Sequence, residues 1–237
     1  MKTIGVLGGI SAQATMDFEA RVHRVSQQLI PQDRTRGYPP MVVWYHRRLP
    51  VKVDGAGRPI EPREVDPELV EAAARLGRSV DFVVIPCNAA HVGLAAIAAA
   101  AGRPVVSMVG LALDEVARRG WRAVGVLGFA AAPALYLEPL RARGIRCETI
   151  DAAPQARLDA GLTAVMEGRE GPVETEAARA AVETLRGRGV DGVILGCTEI
   201  PLLLGEEADA KDLVSPLALL AEEAVRLAIG EAHRPTS

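Results

Sequence analysis

The sequence predicts an α/β protein of two pseudo-symmetric domains, each a parallel sheet of about four strands flanked by helices. Three observations lead there. Short apolar segments recur in the same order along the chain. Each is a β-branched run bounded by Gly, Pro or Ser. Helical patterns lie between them.

The recurrences are specific. Ile4-Gly5-Val6-Leu7-Gly8 is matched by Val124-Gly125-Val126-Leu127-Gly128, 120 residues on. The run from Val80 to Cys87 is matched by Val190 to Cys197, 110 residues on. Val105-Val106-Ser107 is matched by Leu213-Val214-Ser215, 108 residues on. Continuous apolar runs of this kind are buried on both faces, as in parallel sheets. Helical spacing marks Pro67 to Ser79, Asn88 to Ala101, Leu111 to Arg119, Glu174 to Arg188 and Leu217 to Ala228. Strand and helix alternate, which implies right-handed βαβ units. Pro31 to Glu64 reads as a strand, Met41 to Tyr45, followed by a long loop. Long loops are often functional. The boundary falls near Met108 to Leu111, and the last helix returns to the first half. The first domain is then 1–109 with 215–237, and the second is 110–214.

Composition narrows the function. The chain has 237 residues, 49% hydrophobic and 24% charged, with 23 glycines and 16 prolines. These are ordinary globular values, not those of a disordered, collagen-like or coiled-coil chain. A net charge of -3 and 3% aromatic residues argue against nucleic acid and membrane partners. The start resembles a short signal peptide only loosely and reads better as a buried strand entering a loop. Three cysteines, an odd number in a long chain, do not make a secreted disulfide framework. A reducing cytoplasm is expected.

Chemistry is expected at the carboxyl ends of the strands, where open parallel sheets bind ligands. Cys87 and Cys197 each stand where a strand gives way to a helix. Asn88 and Thr198 follow them and are good N-cap residues. A helix start offers unpaired N–H groups that favour a thiolate or hold a carboxylate. If the halves face each other, two thiols meet one bound anion from opposite sides. Removing a proton from one face of a carbon and returning one to the other is racemisation or epimerisation. Cys147 has no counterpart in the first half of the sequence and reads as a packing residue.

These residues resemble a family. Ile4 to Gly9, Cys87-Asn88-Ala89-Ala90-His91 and Gly196-Cys197-Thr198-Glu199-Ile200-Pro201 are similar to motifs of the aspartate/glutamate racemase superfamily, nearest its aspartate racemase branch. The resemblance covers nearly the whole chain. It implies an isomerase, a PLP-independent amino-acid racemase that uses no cofactor and no metal, often as a homodimer. It makes Cys87 and Cys197 the two acid/base groups. Asn88, Thr198 and Glu199 would hold the α-amino and α-carboxylate groups, and Ser11 lies in the loop that approaches the substrate. Aspartate, glutamate or another small amino acid is the implied substrate.

The departures concern the pocket. Gly9-Ile10-Ser11 stands where the family has Gly-Met-Gly. Ala89 replaces a threonine and removes a hydroxyl. Phe129-Ala130-Ala131-Ala132-Pro133 replaces a loop rich in Gly, Thr and Ser. The cations that bind the side-chain carboxylate have no clean match; Lys52 or Arg48 stands for one and Arg169 for the other. The catalytic pair is kept while the pocket becomes more apolar, which shifts substrate preference.

Other residues have plainer readings. Gly5, Gly8 and Gly9 fit neither dinucleotide nor P-loop spacing. His23, His46, His91 and His233 make no metal-ligand spacing. His91 could tune the Cys87 thiol or pack. Asp17 favours the first turn of a helix, and Arg47 and Arg48 form a solvated charged pair. Lysine is scarce, three against 24 arginines. Lys2 and Lys211 are poorly placed for the Schiff base that PLP needs. The alternatives are an isomerase or decarboxylase of a small dicarboxylic acid or hydantoin-type compound, and a non-catalytic small-acid binding protein. Two intact thiols weigh against both.

Overall fold

A computed structural model describes residues 1–34, 36–56 and 58–231. His233 and the end of the stretch 215–237 lie outside the described residues. The chain divides into two compact units, Met1–Met108 with the C-terminal stretch from Leu217, and Val109–Pro216.

The first unit runs β1 (Ile4–Gly8), α1 (Ala12–Leu29), β2 (Met41–Tyr45), α2 (Pro67–Leu76), β3 (Phe82–Val84), α3 (Leu94–Ala101) and β4 (Val105–Val106). Its four strands are parallel in the order β2-β1-β3-β4. Then α4 (Met108–Arg118) leads into β5 (Ala123–Leu127), α5 (Ala134–Ala142), β6 (Arg146–Glu148), α6 (Ala152–Met166), α7 (Pro172–Gly187), β7 (Gly192–Leu195), α8 (Ile200–Leu204) and β8 (Leu213–Val214). The second sheet is also parallel and four-stranded, in the order β6-β5-β7-β8. The last helix, α9 (Pro216–Ala228), lies almost wholly in the first unit. There Lys2 N–H donates to the Ala228 carbonyl at 2.8 Å.

The two sheets therefore share one strand order, as the repeats require. The likeness reaches single hydrogen bonds. The carboxylate of Asp81 accepts Thr3 N–H at 2.6 Å. That of Asp191 accepts Arg122 N–H at 2.6 Å and Ala123 N–H at 2.9 Å. Each aspartate ties the start of its sheet's β1 or β5 to the strand beside it.

The strands are legible because they are buried. All five residues of β1 and all five of β5 are buried. In the first unit α2 and α3 lay Leu69, Ala73, Leu76 and Ile97 on Leu7, Val83 and Ile85. In the second, Leu158, Leu162, Val182 and Leu185 pack on Leu127, Val193 and Leu195. Each fully buried leucine contributes about 1.5–3 kcal/mol through the hydrophobic effect. The centre of β5 must be glycine for this packing. A Cβ on Gly125 would stand 2.6 Å from Leu185 Cδ1.

Several expected boundaries shift. The stretch from Asn88 is not one helix: Ala89–Gly93 is a 3-10 turn and only Leu94–Ala101 is α-helical. The helix expected from Leu111 starts at Met108, and that expected from Glu174 starts at Pro172. Proline suits a first helical turn because its missing N–H would have no partner there. Asp17 is not in the first turn of α1; it pairs with Arg21 at 2.8 Å. The long loop after β2 doubles back on itself through antiparallel bridges at Val51–Val65 and Val53–Pro59. Cys147 does have a structural counterpart. On β6 it pairs with Val124 of β5, as Met41 on β2 pairs with Ile4 of β1.

Candidate active site

In the first unit the site begins where β1 leaves the sheet. Gly9 has φ +76°, a conformation that side chains resist, and a Cβ there would lie 2.4 Å from Tyr45 Cα. Gly9 N–H donates to Thr15 Oγ1 at 2.8 Å, and that hydroxyl donates to the Ser11 carbonyl at 2.8 Å. Thr15 is buried and pins the loop. Ser11 caps α1, its Oγ accepting Ala14 N–H at 3.3 Å. His46 holds the same loop from the side, its N–H donating to the Gly8 carbonyl at 2.8 Å. Its buried ring is held below the ordinary histidine range by burial, against the opposing pull of Asp66, 3.9 Å away.

The next strand delivers Cys87. After β3, Ile85-Pro86-Cys87 turns tightly, with Cys87 N–H on the Ile85 carbonyl at 2.8 Å. Cys87 is half-buried and Asn88 is buried. His91 fixes this turn. Its Nε2 is 3.1 Å from the Met108 N–H, which can only donate. The proton of the neutral ring is therefore on Nδ1, which donates to the Cys87 carbonyl at 2.9 Å. Burial pushes this imidazole down to about 4. It is neutral at physiological pH, and it orients Cys87 rather than carrying charge to it.

The second unit repeats the plan with other side chains. Gln155, from α6, donates to the Gly128 carbonyl at 2.8 Å and to Asp159 at 2.6 Å. It steadies the strand end after β5 as Thr15 steadies that after β1. The apolar loop that follows closes through Ala132 N–H on the Phe129 carbonyl at 2.6 Å. After β7, Gly196 leads to Cys197, which is buried. Cys197 Sγ lies 2.9 Å from Glu199 Oε2, and Thr198 Oγ1 lies 3.1 Å from the same oxygen. Glu199 is only 3% exposed. Beneath the turn, the fully buried Tyr136 of α5 interacts electrostatically with Cys197; burial pushes its phenol well above the ordinary range.

Some sequence expectations change here. Neither Asn88 nor Thr198 caps a helix with its side chain. Asn88 has helical backbone angles and no cap hydrogen bond, and Thr198 precedes Glu199, the residue at the start of α8. The elements after the cysteines are single turns of five residues each. Ser11 and the Cys87-Asn88-Ala89 turn do leave the same edge of one sheet. Lys52 stands apart on the loop after β2, half-exposed and paired with Glu64 at 2.5 Å. Arg48 is taken by Asp66 and Glu68, and Arg169 by Glu167. Arg47 and Arg48 are both exposed, as a solvated charged pair would be, and Arg47 also lies over the Tyr45 ring, 4.6 Å from its centroid. Thr15, Gln155 and Tyr136 were not singled out by the sequence. A Thr or Gln a fixed distance after a strand-end glycine is a weak signal, and a fully buried tyrosine gives none.

Two parallel sheets of matching order, each with a cysteine in the turn that follows its β3 or β7, define a duplicated α/β scaffold. The chain belongs to the Asp/Glu/hydantoin racemase family, whose match spans residues 7–224. It is thus a member of a family of isomerases. It is 27% identical over 228 residues to the broad specificity amino-acid racemase RacX of Bacillus subtilis strain 168, covering 94% of this chain and 96% of that protein. Its fold matches the aspartate racemase of Picrophilus torridus with a TM-score of 0.76 at 19% identity, over 96% of this chain and 94% of that one. It also matches an aspartate racemase homologue from Pyrococcus horikoshii OT3, with a TM-score of 0.74 at 20% identity, over 97% and 100% of the two chains. Among the described residues no helix is long and apolar enough to cross a membrane.

Proposed function

We propose that this protein racemises a free amino acid without a cofactor, with Cys87 and Cys197 as the two acid/base groups on opposite faces of one Cα. The observation that carries this is the repeated geometry. Each sheet brings a cysteine to the carboxyl end of its second central strand, β3 or β7, directly before a tight turn. Family membership supplies the reaction class.

In this scheme one thiolate takes the Cα proton. The electron pair left behind spreads into the α-carboxylate as an enediolate. The other cysteine, present as the thiol, gives its proton to the opposite face. The thiolate and thiol have then exchanged roles, and the enzyme is set for the mirror reaction. Two positioned groups can each contribute about 10²–10⁴-fold as general acid and base. Asn88 and Thr198, one beside each thiol, are the side chains we assign to the amino acid's polar groups, with Ser11 and Ala89 lining the pocket. Lys52, Arg48 and Arg169 each already face a carboxylate, and the Phe129–Ala132 loop is apolar. That supports a wider range of side chains than aspartate and glutamate alone, in keeping with the similarity to RacX. A homodimer in a reducing cytoplasm completes the proposal, since the reaction needs free thiols.

Proton NMR in D₂O tests it. The reduced protein is incubated with acidic, polar and apolar L-amino acids, and the Cα–H signal is followed. Loss of that signal with at least one of them, together with formation of the D-form, is expected. Intact Cα–H signals across the whole panel would refute the proposal.

A further inference from the structure

The two thiols are not equivalent, although the scaffold that carries them is duplicated. Cys197 shares one oxygen, Glu199 Oε2, with the Thr198 hydroxyl, at 2.9 and 3.1 Å. Glu199 and Thr198 are buried, so this contact is not exchanged for water. An ionised carboxylate oxygen accepts and never donates. It can take both protons at once, from sulfur and from the hydroxyl. In the repeat, the position corresponding to Glu199 is Ala89, which brings no charge to its cysteine.

We propose that Glu199 holds the proton on Cys197, so that Cys197 enters the reaction as the acid and the resting enzyme is loaded for the enantiomer whose Cα–H faces Cys87. This rests on the two-thiol proposal above and adds a direction to it. The physical reason is that a hydrogen bond to the neutral form, with a negative charge beside it, disfavours the thiolate. Tyr136, from α5, is a second ionisable group facing Cys197, but its buried phenol stays neutral and adds no charge. Glu199 is then a positioning residue that acts through Cys197. Its occupied oxygen is turned to sulfur rather than to the amino acid.

The prediction concerns the protonation of each thiol. Interconverting two enantiomers has an equilibrium constant of one, so kcat/KM is the same in both directions whatever the resting state. The asymmetry must be read elsewhere. The first readout needs no change near the site. In Cys147→Ser protein, iodoacetamide labelling of Cys87 and Cys197 is followed by peptide mass spectrometry across pH. The midpoint for Cys197 is expected at higher pH than that for Cys87. Equal midpoints, or the reverse order, would overturn the assignment.

The second readout is Glu199→Gln, with Glu199→Asp as the conservative partner. Glu199→Gln is expected to raise the Cys197 labelling rate at pH 7 by about tenfold, the effect of one unit of thiol acidity. It is also expected to move the alkaline limb of kcat/KM to lower pH, because that limb reports loss of the thiol proton. Glu199→Asp should restore both toward wild type. Unchanged labelling and an unchanged alkaline limb would overturn the role of Glu199. Deuterium exchange at Cα would still stand in that case, so the two proposals fail separately.

Discussion

His91 shows how one residue can serve a site without taking part in its chemistry. Its two ring nitrogens are both used, one on the Cys87 carbonyl and one on the Met108 N–H. Folding therefore requires the neutral ring. The ordinary value is 6.5 and the buried one about 4, so between those pH values the unfolded chain binds a proton that the folded chain refuses. Its stabilisation is complete above about pH 6.5 and is lost as pH falls toward 4, by roughly 3 kcal/mol in all. Denaturant unfolding at intervals from pH 7 to 4 should show this slope, and His91→Gln should flatten it. His46, shifted the same way by burial, leaves a residual slope. An unchanged slope in His91→Gln would contradict the account. From the motif alone His91 reads as a residue that tunes the thiol or packs. Its pairing with one carbonyl and one N–H depends on where α4 begins, which no spacing in the motif reveals.

Elements were legible in proportion to their burial. The strands β1, β5, β3 and β7 are short runs with both faces covered, and such runs stand out in any sequence. The edge strand β6 was missed. It is three residues long, begins with an exposed arginine and carries glutamate at its end, so it has no apolar signature. Helix α6 was hidden by Gly161 in its interior, and its buried residues make no clean stripe. Helix α7 was readable because Ala178, Ala181, Val182 and Leu185 recur at helical spacing. Leu185 is the residue that fits over Gly125, and it is fully buried. Leu185→Ala should cost about 2–5 kcal/mol, since β5 has no side chain at that point to fill the space. Chemical denaturation measures this, and a loss below about 1 kcal/mol would mean the helix resettles on the sheet.

At the scale of the whole molecule, the duplication was visible in three short segments and is now visible in strand order, in register and in the paired aspartates Asp81 and Asp191. Duplication explains why the thiols could be found from the sequence: a residue type repeated at one strand end stands out against a background of single cysteines. The supports of each strand end were not legible, because Thr15 and Gln155 do the same work with different chemistry from different helices. The two halves have kept a scaffold and diverged in its fittings. Glu199 against Ala89 is the divergence with the most chemical consequence.

The central claim is that each half supplies one acid/base group to the same reaction. It is tested most directly by Cys87→Ser and Cys197→Ser, measured side by side for racemisation and for Cα–H exchange in D₂O with whichever amino acid the wild-type protein turns over. Loss of racemisation in both is expected, by about 10²-fold or more for removal of a positioned proton-transfer group. Each single variant should keep exchange on the one face its remaining thiol serves, and the two variants should exchange opposite enantiomers. Full racemisation by both variants would contradict the two-thiol account.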